Sequence, residues 1–171
     1  VIDGLGSVSR NVTGTAAGEI FELNHGWIGS VSLGDGDDKF AYNEFAGLAG
    51  PSISGTIDGG SGWDTIALSV EGGRTVDLSD MVNFERVNTG NFTAGTSDVR
   101  LINVNGFAEI ETALQAKLAI AQSSSPSATV RLAASTTLVL ESSATVGWVG
   151  AASASIEAAQ TGNPALSINV T

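Results

Sequence analysis

Two stretches of this chain repeat one another across a distance that local structure does not explain. Trp27–Tyr42 reads WIGSVSLGDGDDKFAY and Ile53–Leu68 reads ISGTIDGGSGWDTIAL. With Trp27 laid over Ile53, Gly29 meets Gly55, Gly34 meets Gly60, Gly36 meets Gly62, Asp38 meets Asp64 and Ala41 meets Ala67. Val31 then faces Ile57, and Phe40 faces Ile66. Each copy reads as a strand, a glycine-rich turn that carries an aspartate, and a second strand. A repeat of this length containing only short strands and turns suits one coil of a parallel solenoid, which rises about 4.8 Å per coil. The two Gly-Asp turns would then stack at one corner. Their glycines would supply backbone angles that a β-branched residue cannot adopt.

Other segments extend the pattern more loosely. Gly4–Gly14 (GLGSVSRNVTG) shares G-S-V-S with Gly29–Ser32. Arg74–Gly95 reads as short strands around Val76, Leu78, Phe84, Val87 and Phe92, and Asp98–Gly106 as a further short pair. Ala128–Val149 and Pro164–Thr171 alternate small or polar residues with Val, Leu and Ile, which is strand periodicity. Phe107–Gln122 fits two patterns. Phe107, Ile110, Leu114 and Leu118 form a helical stripe, while Ile110, Thr112, Leu114, Ala116, Leu118 and Ile120 alternate as in a strand. Continuity with the solenoid favours the strand. The expectation is an all-β, right-handed parallel β-helix, with at most one short helix at 107–122. It forms a single solenoid domain over 1–171, or a piece of a longer one, clearest at 27–68 and looser over 107–171. A constant period of about 26 residues would make about six coils.

Composition narrows the functions. Seven Lys and Arg against eighteen Asp and Glu give a net charge of −11, with no basic stripe for phosphates. Nucleic acid is therefore not expected as a partner. The absence of Cys excludes disulfides and thiolate metal sites. No apolar run has the length of a membrane-spanning helix. The chain opens VIDGLGSVSR without Met, which reads as a mature fragment or cleaved product.

Gly59–Ala67 (GGSGWDTIA) resembles the G-G-x-G-x-D-x-U-x nonapeptide of calcium-binding β-rolls, although the two copies are not in tandem. The Gly-Asp turns, the following strands and Asn83–Gly90 (NFERVNTG) together are similar to the passenger region of bacterial autotransporters. That resemblance is clearest from Trp27 to Gly106 and compositional beyond. It implies a secreted or surface-displayed bacterial protein, an adhesin or structural stalk. Its partner would be a host or neighbouring-cell surface protein or glycan, or a second copy joined through the solenoid ends.

The candidate ligands for calcium are Asp35, Asp37, Asp38, Asp58 and Asp64, because a hard cation takes carboxylate and turn-carbonyl oxygens. If the turns stack, Asp38 and Asp64 come within about 5 Å and repel each other unless neutralised. Trp63 lies inside a turn and is expected to be an exposed contact residue. The alternative for Trp27, Trp63 and Trp148 is that they cap an end or pack under a loop, and Phe40, Phe84 and Phe107 would be core. A polysaccharide-degrading enzyme would need a carboxylate pair. Glu85, Glu109, Glu111, Asp77 and Asp80 can be nominated, but no spacing singles them out, and His25 is the single histidine. The expectation is a non-enzymatic surface scaffold or adhesin. A self-assembling filament or surface-layer subunit and a secreted β-helix enzyme are the alternatives.

Overall fold

The computed structural model describes residues 11–44, 51–70, 74–89, 98–112, 117–121, 129–132, 137–141, 144–150, 155–158 and 166–170. Every strand pairing among them is parallel, and none of these residues is helical. The strands stack into a β-solenoid. Its longest ladder has eight strands, running from Ile20–Leu23 through Lys39–Asn43, Thr65–Ser69, Arg86–Asn88, Glu109–Glu111, Thr129–Leu132 and Ala144–Gly150 to Leu166–Val170.

The register carries the sequence repeat directly: Phe40 pairs with Ile66 and Ala41 with Ala67. The period, however, is not constant. From Phe21 to Ile110 the successive coils advance by 19, 26, 21 and 23 residues. The steps beyond, from Ile110 to Val130, Trp148 and Val170, are shorter than the last of these. The coil between the two sequence repeats is the longest of the series, so the expected uniform coils give way to unequal ones. Coil length can drift because some connections between the registered segments differ in length from coil to coil. The longest coil gains its extra residues between Asn43 and Ser52, whose partners in the preceding coil are Asn24 and Trp27.

The coils also change shape along the axis. In the N-terminal part a coil has three strand-bearing faces. The long sheet is followed by Trp27–Ile28 or Ser52–Ile53, and then by a four-stranded sheet of Val12–Thr13, Val31–Ser32, Ile57–Asp58 and Met81–Val82. Among the described residues this third sheet stops at Met81–Val82. Further on, a five-stranded sheet (Arg74–Asp77, Asp98–Ile102, Lys117–Ala121, Thr137–Leu140 and Ser155–Ala158) alternates with the long ladder.

Inward residues form columns. Phe21, Phe40, Ile66, Val87, Ile110 and Val130 line up on the long sheet, and Val12, Val31, Ile57 and Met81 on the third face. Phe21 and Phe40 stack with ring centroids 5.5 Å apart. These columns belong to one continuous apolar core, with Phe40, Phe84 and Phe107 inside it as expected. The described parts of segment 107–122 hold strands, at Glu109–Glu111 and Lys117–Ala121, with Ile110, Leu118 and Ile120 fully buried, and 113–116 and 122 lie outside the described residues. Neighbouring coils offer hydrogen-bond partners on both sides there, and this outweighs the helix propensity of the local sequence.

Candidate functional site

The two Gly-Asp turns lie at one corner, one directly on the other. Ser61 N–H donates to the Gly34 carbonyl at 2.9 Å, and Gly36 N–H donates to the Ser61 carbonyl at 2.8 Å. One coil earlier, Asp35 N–H donates to the Thr15 carbonyl at 3.0 Å. Gly60 and Gly62 have φ of +102° and +146°. A methyl group at Gly60 would sit 1.7 Å from the Gly34 carbonyl oxygen, and one at Gly62 would sit 2.0 Å from that of Gly36. Glycine is thus required twice over, by conformation and by the coil underneath.

Below this corner runs a stack of acids. Asp38 Oδ1 accepts the Glu19 N–H at 2.5 Å, Asp64 Oδ1 accepts the Asp38 N–H at 2.8 Å, and Glu85 Oε2 accepts the Asp64 N–H at 2.7 Å. Each carboxylate therefore reaches back one coil and satisfies the amide of the acid before it. Where the chain supplies no further acid, the amides turn the other way. Glu85 and Arg86 N–H both donate to the Asp64 carbonyl, and Ala108 and Glu109 N–H both donate to that of Glu85. At the other end Glu19 folds onto its own coil, accepting the Thr15 N–H at 3.2 Å and the Thr15 hydroxyl.

Asp38 and Asp64 are buried, and the Oδ2 atom of each has no hydrogen-bond partner. Burial pushes both carboxyls above their ordinary range, opposed by the backbone N–H that each accepts. The charges of Glu19 and Asp37 push Asp38 further up, and those of Asp38, Glu85 and Asp37 do the same for Asp64.

The five calcium candidates divide accordingly. Asp38 and Asp64 come together as the sequence implied, with Asp37 beside them. Asp37 spends Oδ1 on the Trp63 N–H at 2.9 Å. Asp35 is exposed on the turn and bridges Ser61. Asp58, at the strand end that enters the turn, accepts the Asn83 side-chain amide of the next coil at 2.8 Å. Calcium needs six to eight oxygens around one point. The stacked carboxylates form a column along the axis, and among the described residues no group of three or more Asp, Glu or His side chains is placed to hold a metal ion.

Glu19 and Glu85, the ends of the stack, were missed as partners of the aspartates. A signal for them exists: Glu19-Ile-Phe, Asp38-Lys-Phe, Asp64-Thr-Ile and Glu85-Arg-Val all read acid, any residue, apolar. A search at the fixed spacing of Asp38 and Asp64 passes over it, because Glu19 and Glu85 are set off by shorter coils on either side.

Trp63 is 42% exposed, and the Arg86 guanidinium lies 5.8 Å from its ring centre. Trp27 is 38% exposed, and Trp148 pairs with Val130 and Val170 on the long ladder. Of the acids nominated for catalysis, Glu85, Glu109, Glu111 and Asp77 are engaged in coil-to-coil contacts. Glu109 sits between Arg86 and Arg131, at 3.0 and 2.7 Å, and the two guanidiniums, Arg131 foremost, hold its carboxyl below the usual range. Glu111 accepts the Asn88 amide at 3.1 Å. Asp77 accepts the Asn103 amide and the Ser79 N–H, which lower its carboxyl in the same way.

No protein-family model, curated protein or solved structure matches the chain. No helix among the described residues is long and apolar enough to cross a membrane.

Proposed function

We propose that the chain is a non-enzymatic, secreted or surface-displayed scaffold of autotransporter-passenger type, acting as an adhesin toward a cell-surface protein or glycan. The observation that carries this reading is how the polar side chains are used. Arg86, Glu109 and Arg131 join three coils, and Asn43 donates to Asn24 at 2.7 Å between two. Arg100 reaches Glu141 at 2.7 Å, across a coil that presents Ala119 and Ala121 between them. Side chains spent on tying coil to coil make a stiff, laterally extended surface, which adhesion requires. Trp63, exposed and steadied by Arg86, is the proposed contact residue.

A cell- or glycan-binding assay run beside a hydrolysis screen on acidic and neutral polysaccharides tests this. Binding without turnover, weakened by Trp63→Ala, supports the adhesin. Turnover lost on one Asp or Glu substitution in a folded variant establishes the enzyme instead.

A second reading, end-to-end association of copies, has its own support. Ile20, on the outermost described strand of the long ladder, is 52% exposed. It borders a cavity of about 400 Å³ lined by Val12, Phe21 and Leu33. Sedimentation over a range of concentrations distinguishes a monomer from a growing polymer.

A further inference from the structure

Among the described residues the third sheet ends at Met81–Val82, and a cleft of about 470 Å³ opens at that step. One wall is the corner from Leu78 to Phe84, and the other is the next corner, with Asn103, Asn105 and Gly106. The volume falls in the range of small-ligand sites, roughly 300–1,000 Å³.

Two features of the lining coincide. Asn83 and Asn103, at φ of 55° and 59°, are the non-glycine residues held in the left-handed region among the described residues, and both face this cleft. Each is also latched by the preceding coil. Asn83 Nδ2 donates to Asp58 Oδ1 at 2.8 Å, and Asn103 Nδ2 donates to Asp77 Oδ1 at 2.8 Å. Locking one end of each amide fixes the direction of its remaining donor and acceptor atoms. Bound ligand groups then meet polar partners whose orientation is already set. Ser79 adds a hydroxyl, while Met81 and the exposed Val82 supply apolar surface.

The lining contains no charged side chain, on a molecule whose net charge is −11. Oriented amides and a hydroxyl beside an apolar strip match a ligand that alternates hydroxyl groups with C–H faces. An acidic polymer would be repelled by the surrounding charge. We infer that this cleft is a binding subsite for a neutral saccharide, with Asn83 and Asn103 as its hydrogen-bonding residues and Asp58 and Asp77 as their positioning residues. The inference rests on the surface-binding reading and gives it a ligand class and a second place, distinct from Trp63.

The test is an amide chemical-shift titration of the whole chain with cellotetraose and maltotetraose as neutral probes and tetragalacturonate as the acidic one. Shifts from at least one neutral probe, confined to 78–84 and 103–106, are expected. Asn103→Gly keeps the positive φ while removing the amide. It should weaken binding about tenfold, and Asp77→Ala should weaken it by releasing Asn103. Trp63→Ala should leave it unchanged. The unmodified chain alone can overturn the inference: no shifts at millimolar neutral probe, shifts located elsewhere, or equal binding of tetragalacturonate would each do so. Continued cell binding through Trp63 alongside such a result would leave the adhesin reading standing and remove only this site.

Discussion

Gly60 and Gly106 both have positive φ, yet they answer to different constraints. At Gly106 an added methyl group meets nothing within 4 Å, so Gly106→Ala carries only the conformational penalty, about 1–2 kcal/mol. At Gly60 the same methyl group would enter the Gly34 carbonyl of the coil below. Gly60→Ala is therefore expected to cost clearly more, about 3 kcal/mol or above, because two backbones must separate as well. Urea midpoints of the two variants, measured side by side, check this; equal losses would mean the coils are not in contact at that corner. The requirement for glycine at the turn was legible in the sequence because it repeats. Its cause was only half legible, since the backbone that makes a side chain impossible belongs to the preceding coil. Asp64 poses a related question. If its orphan oxygen is not a calcium ligand, millimolar calcium and chelator should both leave the melting temperature unchanged. A calcium-dependent rise that disappears in Asp64→Asn would make the stack a cation site.

At the scale of the element, the inward columns carry the stability. Phe40 is fully buried, stacked on Phe21 and followed by Ile66. Phe40→Ala should cost about 3–5 kcal/mol, read from denaturant unfolding. Trp63→Ala, on the exposed turn, should stay within about 0.5 kcal/mol of the parent. The strands themselves were readable from alternation, including Lys117–Ala121, whose helix-forming residues are overridden by ladders on both sides. What alternation could not show was which strands are neighbours once coil length drifts along the axis, as it does between the pairings of Phe40 with Ile66 and Val130 with Trp148. For the same reason the acid stack was legible only at Asp38 and Asp64, the one pair separated by the period that the sequence displays. The cleft at Met81–Val82 had no sequence signal, because it arises from a strand that the next coil does not supply.

For the whole molecule, two sets of carboxyls set opposing pH dependences. Burial and like charge raise Asp38 and Asp64 above their ordinary value of 3.8 in the fold. Their contribution is complete below about pH 4 and is lost as the pH rises through their folded pKa values. Asp77 and Glu109 are lowered by Asn103 and Arg131, so their contribution is present above about pH 4 and lost as the pH falls further. A net charge of −11 adds repulsion on the alkaline side. Stability should therefore peak on the acid side of neutrality, and melting temperatures recorded from about pH 3 to 9 should show it. A maximum at about pH 8 would contradict the buried acid stack. All of this depends on coils stacked so that the two glycine turns coincide, and the absence of cysteine from the chain makes that directly measurable. Asp35 and Ser61 are exposed parallel bridge partners on adjacent turns. Neighbouring strands lie about 4.8 Å apart, within the span of a disulfide. The double variant Asp35→Cys, Ser61→Cys should oxidise quantitatively to an intramolecular disulfide in the folded state. Asp35→Cys paired with Trp63→Cys, which is out of register, should not. Failure of the first pair to close, or closure of the second in its place, would contradict the stacked-corner solenoid.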